Sequence, residues 1–131
     1  MILVDTSAWI AHFRAREPVD LERYVPFEEV VTCLPVIQEV LQGFRDEAAY
    51  RRAARAMFSL PVVESPLGES LIREAIALYR AAQHAGLTVR SSVDSLIAAC
   101  ALRHVLEVLH DDRDFGHIAR VSALKQLTLV R

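Results

Sequence analysis

The sequence predicts an α/β fold in which a mostly parallel central sheet carries helices on both faces, a three-layer α/β/α sandwich. Three observations favour this class. Short apolar runs rich in β-branched residues alternate with segments of helical periodicity. The 131 residues are 53% hydrophobic and 24% charged, which suits a folded chain with a substantial core. No repeat, low-complexity tract or Gly/Ser-rich linker divides residues 1–131, so we expect a single domain.

Five short apolar runs are typical of the buried strands of a parallel sheet. The first, Ile-Leu-Val, stands at the start of the chain, and the second, Val-Val-Thr-Cys-Leu, precedes Pro35. In chain order the predicted strands are residues 2–4, 30–34, 61–64, 105–109 and 127–130. Parallel strands joined by right-handed crossovers have helices on both faces, and their functional cleft lies beyond the carboxyl ends of the strands.

Helical periodicity fills the segments between these strands. Pro35 suits the first turn of a helix whose residues from Val36 to Phe44 carry an apolar stripe. Gly86 suits the end of a longer amphipathic helix. The other predicted helical segments are residues 8–13, 19–24, 47–58, 70–85, 92–103 and 115–121.

Charge and cysteine content limit the classes of function. The net charge of −2 gives no general attraction to nucleic acid, so phosphate contacts would depend on local Arg side chains. Cys33 and Cys100 lie in apolar runs without the spacing of a zinc site, and both are predicted to be core residues. We expect a cytoplasmic protein, because neither a signal peptide nor a membrane-spanning run is found.

Acidic residues lie where a predicted strand ends or where a predicted helix could face the cleft. Asp5 directly follows the first strand, where an aspartate also suits the N-cap of the next helix. Glu39 follows the second strand and lies about 130° from the centre of its helix's apolar stripe. Its side chain could therefore face solvent or the cleft.

Two further acidic positions also have structural alternatives. The segment from Ser91 to Asp94 matches a capping box, with Ser91 as the N-cap and the acid three residues later. Asp111, Asp112 and Asp114 follow the fourth strand, where an acidic turn could simply precede a helix N-terminus. Each position alone is compatible with a purely structural role.

Taken together, the acids favour a metal site. Carboxylates within about 5 Å repel by roughly 3 kcal/mol per pair at an effective dielectric constant near 20, so a fold that gathers them needs a counter-charge. Carboxylate oxygens are hard ligands that suit Mg²⁺ or Mn²⁺ rather than Zn²⁺. Such a site activates water and stabilises the charges of a phosphodiester displacement. The residues alone therefore indicate metal-assisted phosphodiester hydrolysis.

Four blocks resemble the PIN-domain family in its order and spacing, and most closely the VapC-type toxin ribonucleases of toxin–antitoxin pairs. The blocks are LVDTSAWI, PVIQEVLQG, VDSLIAACAL and LHDDRDFGHIA. The resemblance covers essentially the whole chain. It implies a compact α/β/α sandwich, an acidic site for Mg²⁺ or Mn²⁺, and cleavage of RNA by metal-activated water. It also implies a homodimer and inhibition by a cognate antitoxin protein that inserts a segment at the active site.

By motif position, the resemblance implies that the four main acids of the family fall on Asp5, Glu39, Asp94 and Asp112. Asp114 corresponds to a further acid near the metal. The hydroxyl residue after the first acid falls on Thr6 or Ser7. We expect metal ligation by Asp5, Asp94, Asp112 and Asp114, with Glu39 completing the catalytic set.

The chain departs from the family pattern at His110, where many members carry Thr or Ser two residues before the fourth acid. An imidazole could replace the hydroxyl in the metal shell, contact phosphate, or simply end a strand. Arg90 could bind substrate phosphate or an antitoxin acid. Trp9 and Phe13 are spaced i, i+4 and could line an antitoxin groove or belong to the core.

Two alternatives remain at this point. One is a PIN-like module that binds RNA or a partner without cutting. The other is a phosphate-handling enzyme or regulator on a related doubly wound fold, such as a response-regulator receiver. It is disfavoured because Lys125 is the only lysine and no acid pair ends the first strand.

Overall fold

The computed structural model describes residues 1–130, and over this range five parallel strands form one sheet in the order β3-β2-β1-β4-β5. The strands are β1 (Ile2–Val4), β2 (Val30–Cys33), β3 (Val62–Val63), β4 (Glu107–His110) and β5 (Gln126–Thr128). Central β1 pairs on both sides, with Leu3 opposite Val31 of β2 and Val108 of β4. The predicted α/β class with a parallel sheet is confirmed.

Six α-helices connect the strands. They are α1 (Thr6–Phe13), α2 (Leu34–Gln42), α3 (Glu47–Phe58), α4 (Glu69–His84), α5 (Ser92–Arg103) and α6 (Arg113–Arg120). The chain moves outward from β1 to β3 in one direction and from β4 to β5 in the other, so right-handed crossovers place α1 to α3 on one face and α4 to α6 on the other. Most helix contacts follow this division, because α1 packs on α2 and α2 on α3, while α4, α5 and α6 pack on one another. Helices α2 and α5 also contact each other.

Strands β1 and β4 are neighbours in the sheet, and the strand order changes direction between them: β2 and β3 lie on one side of β1, and β4 and β5 lie on the other. Parallel sheets form a crevice at the carboxyl ends of the two strands that flank such a switch point. Asp5 follows β1 at this point, and its backbone N–H donates to the carbonyl of Leu109 in β4 (2.9 Å). The switch point therefore lies between the first and the last of the acidic blocks.

Apolar packing fills both sides of the sheet. Every residue of β2 is buried, and Phe115, Leu71 and Met57 are among the largest fully buried side chains. Cys33 and Cys100 are both fully buried, as predicted for core residues. No helix in the described range is long and apolar enough to cross a membrane.

Side-chain caps explain several differences from the predicted bounds. Helix α1 begins at residue 6 rather than 8 because Asp5 caps it, and α6 begins at residue 113 rather than 115 because Asp112 caps it. Helix α4 runs one residue earlier at each end than predicted. Helix α5 has the predicted bounds.

The predicted helical segment 19–24 was wrong in length, because it contains only a single 3₁₀ turn, Leu21–Arg23. Asp20 caps this turn by accepting from the Glu22 backbone N–H, and a second 3₁₀ turn, Phe27–Glu29, follows without having been predicted. A single short turn is the usual extent of 3₁₀ structure.

Several strands begin or end at other residues than predicted. Val105, predicted to start the fourth strand, has φ +53° and is 89% exposed, so β4 begins two residues later. Glu64 has φ +54° and ends the third strand after Val63. Leu34 belongs to α2 rather than to the second strand, and the last strand spans residues 126–128 rather than 127–130.

Candidate metal centre

Three carboxylates converge beyond the carboxyl ends of the central strands. One oxygen of each of Asp94, Asp112 and Asp114 lies within 4.8 Å of the other two, and we call these residues the acidic triad. Asp94 and Asp114 are buried, at 5% and 1% exposed, and Asp112 is half-buried. The start of α5 supplies Asp94, and the start of α6 supplies the other two.

Asp5 stands beside the triad at the end of β1 and divides its two oxygens between two environments. Its Oδ2 accepts from the backbone N–H of Ser7 (3.0 Å) and from the Ser7 hydroxyl (2.5 Å), which caps α1. Its Oδ1 is buried and has no hydrogen-bond partner among the described residues. Asp5 itself is therefore the N-cap of α1, yet capping leaves one Asp5 oxygen available to a cation.

The capping-box alternative for Asp94 is only half correct. Ser91 is the N-cap of α5, and its hydroxyl accepts from the Val93 backbone N–H (3.2 Å). The backbone N–H of Ser91, however, donates to Asp114 (3.2 Å) rather than to Asp94. Asp114 thus takes the reciprocal position of the box, and Asp94 Oδ2 stays buried without a hydrogen bond to any residue of the described chain.

Asp114 connects the two helix starts. Its Oδ2 accepts from the backbone N–H groups of Arg90 (2.8 Å) and Ser91 (3.2 Å), while its own backbone N–H donates to Asp112 Oδ1 (2.9 Å). Its Oδ1 is buried and unpartnered within residues 1–130. The hydrogen bonds therefore fix the backbone at the triad and leave one oxygen of Asp114 free.

Burial and mutual repulsion raise the pKa of two of these acids, Asp5 and Asp94. Burial raises the pKa of Asp5 to about 6, against the opposing effect of its hydrogen bonds from Ser7. Burial, repulsion by Asp5 and contacts with Asp114 and Asp112 raise the pKa of Asp94 to about 9. At neutral pH and without a cation, Asp94 is therefore mostly protonated.

The centre fits a hard divalent cation by its donor set. Asp5, Asp94 and Asp114 each present a buried oxygen without a partner in the described structure. Unsatisfied buried oxygens are costly, and carboxylates are the ligands that Mg²⁺ and Mn²⁺ prefer. A bound cation would satisfy these oxygens and offset their repulsion.

Glu39 lies outside the triad. Its Oε1 accepts from the Thr6 hydroxyl (2.7 Å), so Thr6 joins α1 to α2. Half-buried Glu39 also lines a cavity of about 230 Å³ together with Ile10, Phe13 and Phe44. This cavity lies between α1 and α2 and contains none of the triad, so the predicted role of Glu39 in the catalytic cleft stays a prediction.

Ser7 links the first and last acidic blocks. Its hydroxyl donates to Asp5 and accepts from the backbone N–H of Asp111 (2.8 Å), across the switch point between β1 and β4. This contact places Ser7, rather than Thr6, beside the carboxylate of Asp5.

His110 uses both ring nitrogens inside the protein. Its Nδ1 accepts from the Asp112 backbone N–H (3.1 Å), and its Nε2 lies 2.5 Å from Gln126 Oε1. The ring is 2% exposed, and burial lowers the pKa of His110. A phosphate contact through this imidazole, one of the roles considered from the sequence, is therefore ruled out by its partners, and sequence reasoning missed Gln126 entirely.

The other candidate residues lie around the centre. Arg90 has an exposed side chain, and it is its backbone N–H that contacts Asp114. Trp9 is 6% exposed and stacks on Phe13 with ring centroids 5.7 Å apart, so it belongs mainly to the core. Phe13 is half-buried and lines the cavity beside Glu39.

Solved structures with a similar fold include a member of the VapBC family of toxin–antitoxin systems. The structure of VapBC-5 from Mycobacterium tuberculosis is similar with a TM-score of 0.74 and 21% identity over 98% of each chain. VapBC2 from Rickettsia felis, bound to a promoter DNA fragment, is similar with a TM-score of 0.77 and 14% identity over 99% of this chain and 100% of that one. At these identities the likeness confirms the fold.

Sequence relatives are closer. VapC ribonuclease Mb1587 of Mycobacterium bovis and ribonuclease VapC11 of Mycobacterium tuberculosis are each 39% identical over 131 residues, covering 95% of this chain and 96% of the relative. The family model described as PIN domain matches residues 2–121, which include every residue of the triad as well as Asp5 and Glu39. The chain therefore belongs to the PIN domain family.

Proposed function

We propose that this chain is a Mg²⁺- or Mn²⁺-dependent endoribonuclease that acts as the toxin of a toxin–antitoxin pair. The observation that carries the proposal is the convergence of buried carboxylates, three of them with unpartnered oxygens, at the switch point of a parallel sheet. Relatives that are 39% identical are named VapC ribonucleases, which supports RNA as the substrate class.

Asp5, Asp94, Asp112 and Asp114 would hold the cation, with Glu39 beside them. A bound Mg²⁺ or Mn²⁺ supplies Lewis acidity, which activates water and neutralises charge on a phosphodiester. The protein's own contribution is orientation: Ser7 fixes Asp5, and the backbone bonds to Asp114 fix the starts of α5 and α6. Attack by water with the 3′ oxygen as leaving group, which the resemblance to the PIN-domain family implies, would leave 5′-phosphate and 3′-hydroxyl ends.

An antitoxin is the proposed protein partner. Solved neighbours of this fold include toxin–antitoxin complexes. The cavity lined by Ile10, Phe13 and Phe44 also has one acidic and one basic lining residue, Glu39 and Arg14. We propose that an antitoxin segment places an apolar side chain in this cavity and a basic side chain toward Glu39. Phe13→Ala would then weaken antitoxin binding and leave cation binding unchanged, and equal antitoxin affinity would refute this placement.

A second copy of the chain is the other proposed partner. Ile72, Ile76 and Tyr79 form an exposed stripe on α4, beside a cavity of about 350 Å³ between α4 and α5. Glu69 and Arg80 are eleven residues apart, so about 20° separates them around the helix and they share one flank of the stripe. If a second copy packed antiparallel on this face, Glu69 of each copy would lie beside Arg80 of the other copy. The face is therefore self-complementary in charge. Ile76→Glu should convert the dimer to a monomer in sedimentation, and a dimer that persists would exclude this face.

We place the protein in the cytoplasm, where its RNA substrates occur and where the free thiols of Cys33 and Cys100 stay reduced.

Cleavage of RNA under single-turnover conditions tests the proposed activity. The parent should cut in Mg²⁺ and stop in EDTA, whereas Asp94→Asn should lose activity by at least 100-fold, on the order expected for loss of a metal ligand. Glu47→Gln, which changes an exposed acid on α3 paired with Arg51, is the matched control and should cut at the parental rate. Cleavage by Asp94→Asn at the parental rate would refute the site, and RNA binding without cleavage by the parent would indicate a binding module instead.

A further inference from the structure

Gln126 reaches the centre from the edge strand of the sheet. It lies opposite Val108 in the β4–β5 ladder, while Thr128 lies opposite His110. Val108 and His110 are two residues apart and share a face of the sheet, so Gln126 is a diagonal neighbour of His110 on that face. Its Oε1 lies 2.5 Å from His110 Nε2.

The hydrogen bonds of His110 select one tautomer. The backbone N–H of Asp112 can only donate, so Nδ1 must accept (3.1 Å) and cannot carry a proton. The proton of a neutral ring is then on Nε2, where it is donated to Gln126 Oε1. The ring is also held by Phe115, with centroids 5.1 Å apart.

This arrangement fixes the chain segment that presents two members of the triad. His110 anchors the backbone at Asp112, and the Asp112 side chain in turn caps α6 at the Asp114 backbone N–H (2.9 Å). An imidazole that turned by a ring flip would remove the acceptor from Asp112. Gln126 opposes that flip, because only the observed orientation gives Nε2–H its acceptor.

We propose that Gln126 is a positioning residue for the metal centre, acting through the neutral ring of His110 on the backbone of Asp112. This inference rests on the proposed function only in taking the acidic triad as the cation site. It explains how the chain tolerates an imidazole where a short hydroxyl side chain would suffice. A Thr or Ser hydroxyl accepts from the N–H two residues later by itself, whereas an imidazole needs a second partner to fix its orientation.

A double-mutant cycle on cation affinity tests the proposal without RNA. Gln126→Leu should weaken Mn²⁺ binding by about tenfold, measured by calorimetry or by the electron paramagnetic resonance signal of free Mn²⁺. Adding His110→Thr to Gln126→Leu should restore near-parental Mn²⁺ affinity, because the Thr hydroxyl can accept directly from the backbone N–H of Asp112. In the His110→Thr background, Gln126→Leu should then have no further effect. Thr128→Val, an exposed position on the same strand, is the matched control and should leave affinity unchanged.

Nitrogen NMR of the metal-free protein supplies a readout that a general packing role would not give. His110 of the parent should show the Nε2–H tautomer alone, and Gln126→Leu should show a mixture of ring states. If Gln126→Leu does not fold, Gln126→Met keeps the side-chain length and serves instead. In RNA cleavage we expect kcat to fall by about the same factor as cation affinity, with KM for RNA unchanged.

Parental Mn²⁺ affinity in Gln126→Leu, or equal effects of Gln126→Leu with and without His110→Thr, would overturn the proposal. An Nδ1–H tautomer in the parent would overturn it as well. A parent that binds Mn²⁺ but does not cut RNA would refute the proposed function alone. A parent that binds no Mn²⁺ would refute both, since no cation site would then exist to be positioned.

Discussion

Asp5→Asn should stabilise the metal-free protein at neutral and alkaline pH. The Asp5 carboxylate is 2% exposed, and only one of its oxygens is hydrogen-bonded among the described residues. An asparagine amide can keep the bond from the Ser7 backbone N–H, since Asn and Asp are equally good N-caps. It removes the charge that burial disfavours.

The magnitude follows from the pKa of Asp5, which is raised from 3.8 to about 6 in the folded protein. Because the folded state binds this proton more tightly than the unfolded state, the associated stability is complete below pH 4 and is lost as the pH rises through 6. The shift of about two units corresponds to about 3 kcal/mol at pH 8. Asp5→Asn should recover up to this amount at pH 8 and nothing at pH 4.

Urea denaturation in EDTA at pH 4 and pH 8 measures the difference in the free energy of unfolding. Asp46→Asn is the control, because Asp46 caps α3 through the Ala49 backbone N–H (2.8 Å) but is exposed. We expect this substitution to change stability by the same small amount at both pH values. An Asp5→Asn variant that is destabilised at pH 8, or equally affected at both pH values, would show that burial does not perturb this carboxylate.

Three further outcomes are expected. Because Asp94 is mostly protonated at pH 7 without a cation, Mg²⁺ binding should release about one proton, which calorimetry in two buffers of different ionisation enthalpy detects; no buffer dependence would contradict its ligation. Arg90→Ala should raise KM for RNA several-fold and leave Mg²⁺ affinity unchanged, because its side chain is exposed and only its backbone holds Asp114; reduced Mg²⁺ affinity would contradict that division. Val105→Gly should stabilise the protein by about 1 kcal/mol in urea denaturation, since an exposed β-branched residue occupies φ +53°; a loss of stability would show that this turn is not strained.

The alternation of strands and helices could be predicted because each element carries its own signal. Apolar β-branched runs mark the strands, and the stripe from Val36 to Leu41 marks α2 and its buried face. The resemblance and the spacing of the acids placed Asp94, Asp112 and Asp114 in one site, where the structure brings them together. Val105 was misassigned because an apolar residue in the left-handed region has no local sequence signal.

Contacts between distant segments could not be predicted. Whether Asp94 or Asp114 binds the backbone of Ser91 depends on how α5 and α6 pack, and nothing in the segment from Ser91 to Asp94 reveals that choice. The pairing of Gln126 with His110 depends in the same way on the register of β4 with β5. These long-range hydrogen bonds decide which oxygens stay free for a cation.

The chemistry of the cut ends tests the account most directly. Total RNA treated with the parent in Mg²⁺ should yield new 5′-phosphate and 3′-hydroxyl ends at defined sites, and these ends should be absent with EDTA and with Asp94→Asn. Ends bearing a 5′-hydroxyl and a 2′,3′-cyclic phosphate would show attack by the ribose hydroxyl instead of water. That result, or the same ends from Asp94→Asn, would contradict metal-assisted hydrolysis at the acidic triad.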